Sequence, residues 1–196
     1  MNTLHHDTYG AITPDQWNLN GRVVLVTGSS RGIGRASAIA YARAGASGII
    51  VTGRSATLLD QVEKEVIAAA ETRGKGSTVK VLKLVLDVTD ESVVNEAARR
   101  VRGAFGRLDI LVNNAGYLAP FSPINETKTK EWNQTWSTHI TGIFLVIRAF
   151  APLLISSENG LKIIVNVSSV AALQVAPNYV AYAVSIQVMY MLSGQY

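Results

Sequence analysis

The sequence predicts an α/β fold: a doubly wound parallel sheet of about five strands, in the order 3-2-1-4-5, with helices on both faces. Three observations predict it. Short, nearly continuous apolar runs recur at 22–27, 48–52, 79–86, 108–112 and 162–167, and such runs read as strands buried on both sides, as in a parallel sheet. Segments of helical periodicity lie between and after them, at roughly 33–44, 56–72, 90–103, 131–155 and 179–193. Regular strand–helix alternation winds right-handed βα units onto the two faces of one sheet. The first strand also runs directly into a glycine-rich turn, Thr27-Gly28-Ser29-Ser30-Arg31-Gly32-Ile33-Gly34, the kind of turn at which such sheets receive phosphates.

Each element has a local reason. Arg22-Val23-Val24-Leu25-Val26 is β-branched and apolar, and the helix that follows it stops at Gly45. Further breaks are marked by Gly45-Ala46-Ser47-Gly48, by Arg73-Gly74-Lys75-Gly76, by the span from Gly103 to Gly106, and by Asn159-Gly160. Residues 1–20 are polar and read as a poorly ordered lead-in, in which His5-His6 is tail. Residues 21–196 read as one domain without internal repeat, low-complexity segment or linker.

Composition narrows the function. There are 18 Lys and Arg against 14 Asp and Glu, a net charge of +4. These cations are scattered and never form a run of four, which reads as a solvated basic surface and not as a nucleic-acid footprint. The absence of cysteine excludes disulfides, thiolate metal sites and a cysteine nucleophile. His5, His6 and His139 do not form a metal-binding pattern, and no G-x-S-x-G elbow marks a serine hydrolase. No apolar run reaches the length of a bilayer and residues 1–20 lack an apolar signal region, so no membrane association and a cytoplasmic location are expected.

The motifs point to a nucleotide. Glycines in a strand-to-helix turn let the backbone approach a pyrophosphate, and the helix start offers free N–H groups and the positive end of its dipole. After the second strand, where a carboxylate would grip a ribose 2′-hydroxyl, the chain has Gly53-Arg54. Arg54 and Arg31 together suit a ribose 2′-phosphate, so NADP(H) is expected over NAD.

The spacing T-G-x-x-x-G-x-G, the tetrad Asn113-Asn114-Ala115-Gly116 after the fourth strand, and Ser169 followed 13 residues later by Tyr182 resemble the short-chain dehydrogenase/reductase family over residues 21 to about 185. The resemblance implies a Rossmann-like fold and an oxidoreductase that reduces a small-molecule carbonyl or oxidises an alcohol. It implies that Gly28, Ser30, Arg31, Gly32, Ile33 and Gly34 hold the pyrophosphate, and that Asp87 and Val88 meet the adenine. Asn114, Ala115 and Gly116 would lie near the nicotinamide ribose. Tyr182 would be the general acid/base, also touching the cofactor, and Ser169 would steady the substrate oxygen. Asp87 has a second reading, as a cap for the helix starting near Asp90.

Two positions depart from the family pattern. Where its lysine stands, four residues after the tyrosine, this chain has Ile186; where its helix asparagine stands, it has His139. A free phenol has a pKa near 10 and a neighbouring ammonium lowers it, so losing the lysine should impair proton transfer. His139 reads either as a packed core histidine, on one helical face with Trp132, Trp136 and Ile143, or as a site imidazole near Tyr182 that titrates near neutrality. The alternatives to an impaired reductase are a redirected fold that performs proton transfer, dehydration, cyclisation or ligand binding only, and an inactive truncated product.

The resemblance implies a sixth strand where this chain stops, so the fifth is expected to be an apolar edge unless something covers it. The resemblance also implies a homo-oligomer through the helices near 131–155 and 179–193; Leu145, Ile147, Phe150, Leu153 and Leu154 are apolar enough for such an interface, or for burial against the chain's own sheet, and both faces can be used.

Overall fold

The computed structural model describes residues 12–74, 77–174 and 177–192. His5-His6, the Lys75-Gly76 half of one turn and the helix end read at 193 lie outside the described residues.

Five parallel strands, β1 (Val23–Val26), β2 (Gly48–Gly53), β3 (Lys80–Val85), β4 (Ile110–Asn113) and β5 (Ile163–Asn166), form one sheet in the order β3-β2-β1-β4-β5. Leu25 lies in register with Ile50 on one side and Leu111 on the other. The pleat sends these three into one core, and sends Val24, Val26, Ile49, Val51, Ile110 and Val112 into a second core on the opposite face. That division explains why the strand sequences are apolar without alternation. The second core is closed by α1 (Gly32–Arg43) and α2 (Ala56–Glu71) through Ala38, Ala42, Leu59, Val62 and Val66. The first is closed by α3 (Glu91–Phe105), α5 (Ile143–Ser156) and α6 (Val180–Leu192), through Val94, Val101, Phe150, Leu154, Ile186 and Met189.

Helix starts follow their side-chain chemistry. Ser55 accepts the Leu58 N–H at the start of α2, and Asp90 accepts from Ser92 and Val93 at the start of α3. Asp90, not Asp87, is therefore the cap of α3; Asp87 Oδ1 accepts the Thr89 N–H and hydroxyl within its own loop.

The segment read as a single helix over 131–155 is longer and not uniform. It consists of α4 (Thr129–Trp136), one π-helical turn (Ser137–Gly142) and α5. A Cβ on Gly142 would stand 2.7 Å from the Val88 Cγ2, so the helix passes the loop after β3 at a distance only glycine allows. By length and composition Thr129–Ser156 could cross a membrane, contrary to the reading that no apolar run is long enough. Its side chains show how the apolarity is used: Leu145, Ile147, Phe150, Leu153 and Leu154 are buried in the first core. These five residues pack against their own sheet, which is one of the two readings open for them, and Phe144 and Ile155 are large exposed apolar side chains of α5.

The two sheet edges differ. Lys83 on β3 pairs with Asp60 and Glu63, and Lys80 donates to the Ala104 carbonyl. On β5, Ile163 and Val165 are exposed on one face, with Ile164 packed on the first core behind them, as expected for an apolar edge.

At the start of β4 the buried carboxylate of Asp109 accepts from the Val23 N–H, Arg107 and Arg22, which ties β1 and β4 together. Burial alone would raise its pKa; the Arg107 hydrogen bonds and the Val23 N–H outweigh that and hold it below the usual carboxylate range.

Candidate cofactor cleft and catalytic residues

The loops after β1, β2, β3 and β4 leave the sheet at its C-terminal edge and enclose a cleft of about 660 Å³. It is lined by Gly28, Ser30, Arg31, Gly32 and Ile33 from the first loop and Gly53 and Arg54 from the second. Leu86, Asp87, Val88 and Thr89 come from the third, and Asn114, Ala115, Gly116 and Tyr117 from the fourth. Gln134, Ser137 and Thr138, at the junction of α4 and the π turn, close the far side. A polar groove of about 580 Å³ lies at the opposite end of the strands, along Asn18, Ser47 and Arg73. Parallel sheets bind ligands beyond the carboxyl ends of their strands, and the first cleft is the one in that position.

The glycine loop is shaped by contact. Gly28 has φ +61°, and a Cβ there would lie 2.8 Å from the Ala115 Cα. A Cβ on Gly34 would lie 2.4 Å from the Asn114 Nδ2 and 2.6 Å from the Gly28 carbonyl oxygen. Gly34 is thus buried behind the cleft, where it lets α1 approach the fourth loop. Asn114 Nδ2 donates to the carbonyls of Thr27 and Gly28, at 2.9 and 3.1 Å. The Thr27 hydroxyl accepts the N–H groups of Asn114 and Ala115 and donates to the Val112 carbonyl. The Asn113–Gly116 segment and the glycine loop therefore form one hydrogen-bonded unit.

At the start of α1, Arg31 makes no side-chain cap and no acidic residue occupies the first turn. The N–H groups there face the cleft without a side-chain acceptor of their own, an arrangement suited to an anion. Arg31 and Arg54 are both exposed on the same cleft. The free N–H groups at the start of α1 and the two arginines on the cleft fit an anionic dinucleotide.

The catalytic candidates lie outside the cleft lining. Ser169 caps the short 3-10 turn Val170–Ala172, its Oγ accepting the Ala171 N–H at 3.2 Å. Tyr182, on the first turns of α6, lines a small neighbouring pocket with Phe121 and Tyr179, whose rings stack at 4.1 Å. Ile186 is 3 % exposed and belongs to the first core.

His139 lies beside Tyr182, with ring centroids 5.4 Å apart and edge to face. Both readings of it hold in part: it is a buried histidine and it borders the site. It does not titrate near neutrality as expected of a site imidazole, because burial lowers its pKa to about 4. Nε2 accepts the Tyr117 N–H at 3.0 Å and Nδ1 lies 2.7 Å from the Ser185 Oγ.

Tyr117 and Ser185 escaped the sequence reading. Tyr117 directly follows the Asn113–Gly116 tetrad, and adjacency was the available signal. It lines the cleft and its hydroxyl donates to Glu131, a contact that raises the phenol pKa. Ser185 has no motif of its own. Among the described residues, no three His, Cys, Asp or Glu side chains cluster to hold a metal.

The comparisons with known proteins agree with this architecture. The family model for short chain dehydrogenase matches residues 22–194. Short chain dehydrogenase mpl6 of Monascus purpureus is 46% identical over 182 residues, covering 93% of this chain and 61% of its own length. The 3-oxoacyl-[acyl-carrier-protein] reductase FabG of Thermotoga maritima is 35% identical over 167 residues, 85% of this chain and 63% of its own. The chain thus spans about three fifths of the length of these curated relatives. Among solved structures, NAD+-bound xylitol dehydrogenase superposes with a TM-score of 0.80 at 29% identity, covering 90% of this chain and 64% of that one. A metagenomic short-chain oxidoreductase in complex with NADP superposes with a TM-score of 0.79 at 33% identity, covering 90% and 75%. The glycine loop, the tetrad pinned to it and the match across nearly the whole chain lead to one conclusion: this chain belongs to the short chain dehydrogenase family of oxidoreductases.

Proposed function

We propose that the chain is the nucleotide-binding part of an NADP(H)-dependent oxidoreductase acting on a small carbonyl or alcohol. The observation that carries this reading is the presence of Arg31 and Arg54 on one cleft, where β2 ends on Gly53 and no carboxylate stands between it and α2. Two guanidinium groups stabilise a dianionic 2′-phosphate, whereas an unphosphorylated ribose leaves them without a partner. Both NAD- and NADP-bound proteins occur among the related structures, so the preference rests on these two side chains.

When bound, the dinucleotide supplies or accepts the hydride. The chain's own residues do the rest. The backbone N–H groups at the start of α1 neutralise the pyrophosphate, and Asn114 keeps the fourth loop against the glycine turn. The Ser169 Oγ already accepts the Ala171 N–H, and its hydroxyl proton is the donor that orients a carbonyl oxygen. Tyr182 gives the proton. With Ile186 in place of an ammonium, that transfer lacks the charge that favours phenolate, a loss of about 10²–10⁴ in rate.

A second reading, nucleotide or ligand binding without redox turnover, is favoured by the burial of Ile186 and by the position of Tyr182 outside the cleft lining. NADPH consumption against a panel of aldehydes and ketones, with Tyr182→Phe as control, separates the two. Consumption that Tyr182→Phe abolishes supports the oxidoreductase. Saturable NADPH binding with no consumption establishes the binding-only reading.

A further inference from the structure

Three parts of the site meet at His139: the loop after β4, the π turn and the first turns of α6. The ring is 2 % exposed. Its Nε2 faces the Tyr117 backbone nitrogen, which can only donate. Its Nδ1 faces the Ser185 Oγ, whose own proton goes to the Tyr182 carbonyl at 2.8 Å. Only one proton arrangement satisfies every partner: Nε2 accepts, Nδ1–H donates, and the ring is neutral. An imidazolium would set an N–H against the Tyr117 N–H. The approach depends on Gly116, where a Cβ would stand 3.3 Å from Nε2.

We propose that His139 is a positioning residue which, held in the Nδ1–H form, couples the Gly116–Tyr117 wall of the cofactor cleft to the turn of α6 that carries Tyr182. The inference rests on the reading of the cleft as a dinucleotide site and of Tyr182 as the proton donor. Its physical basis is that both hydrogen bonds run to backbone-anchored groups, directly to Tyr117 and through Ser185 to Tyr182. One rigid ring therefore sets the separation of two elements that no motif joins.

The two halves of this link can be cut separately. In His139→Gln the amide oxygen falls near the Nε2 position and keeps the Tyr117 bond, while the Ser185 bond is lost. In His139→Asn the amide nitrogen falls near the Nδ1 position and keeps Ser185, while Tyr117 is released. NADPH dissociation constants are expected to rise about tenfold in His139→Asn and to stay at the wild-type value in His139→Gln and Ser185→Ala. The latter two are expected to lower kcat for carbonyl reduction about tenfold without changing KM. Nitrogen-15 NMR of the wild-type ring supplies the readout that needs neither turnover nor cofactor: at neutral pH it should show Nδ1 protonated and Nε2 bare.

An Nε2–H ring, an imidazolium, or equal NADPH affinity and kcat in all three variants overturns the proposal. Should the wild-type chain bind no NADPH, the functional reading fails by itself and the ring tautomer still decides whether the link exists. The same spectrum decides the matter if a variant does not fold.

Discussion

Gly28 and Ala115 stand so close that a Cβ on the glycine would lie 2.8 Å from the alanine Cα. The glycine loop and the segment after β4 are packed as one body, and the +61° φ of Gly28 adds a conformational requirement to the steric one. Gly28→Ala should cost about 1–3 kcal/mol of stability and abolish nucleotide binding. Gly32 also has a positive φ but meets nothing within 4 Å, so Gly32→Ala should cost only the backbone strain, about 1 kcal/mol. Urea denaturation of the two variants checks the ranking; equal losses would mean that the contact with Ala115 is not the cause.

Arg31 and Arg54 should act on the phosphate and not on the rest of the dinucleotide. Arg31→Ala and Arg54→Ala are each expected to weaken NADPH binding by about tenfold, a loss typical of a charge-assisted hydrogen bond, and to leave NADH binding unchanged. Fluorescence titration of both nucleotides into both variants measures this. Parallel losses for NADH would mean that the arginines support the loop and do not select the cofactor.

The buried imidazole makes stability depend on pH in a defined window. His139 has a folded pKa of about 4, below the value near 6.5 of an unfolded histidine. Between these values the unfolded chain binds a proton that the native chain refuses. Stability is therefore complete above pH ~6.5 and falls as the pH drops toward ~4, by up to about 3 kcal/mol. Denaturation midpoints across this range should fall for the wild type and flatten in His139→Gln. An unchanged slope in the variant would assign the dependence to other groups. Asp109 acts in a different window: its lowered pKa means that its contribution is present above the unfolded carboxylate value near 3.9 and is lost only below it.

Asp109 joins the starts of β1 and β4 through the Val23 N–H and two arginines. Its carboxylate is fully buried, while Arg22 and Arg107 are partly in water, with 27% and 31% exposure. Asp109→Ala strands a buried N–H but lets the guanidinium groups hydrate, so the expected loss is about 2–3 kcal/mol. Asp109→Asn keeps an acceptor and should lose less. Chemical denaturation of both checks the order.

Much of the fold is written in local patterns. The five strands follow from apolar runs separated by helical periods, because every strand position in β1, β2 and β4 is buried between the sheet's two helical layers. The glycine loop and the tetrad were legible because their contacts demand particular residues: a side chain at Gly28 or Gly34 has no room, and Asn114 must reach two carbonyls. What escaped is non-local. The π turn within 129–156 shows no break in helical periodicity; it ends at Gly142, where the helix passes Val88. The state of His139 depends on Tyr117 and Ser185, which lie 22 and 46 residues away in the chain. The burial of Ile186 likewise follows from how α6 docks, which its sequence position beside Tyr182 does not reveal.

Titration of NADPH and NADH into the purified chain, followed by nicotinamide fluorescence, tests the account most directly. Saturable NADPH binding, tighter than NADH by about tenfold or more, is the result expected of a cleft that joins the start of α1 to Arg31 and Arg54. Equal affinity for the two nucleotides, or no saturable binding of either, contradicts it.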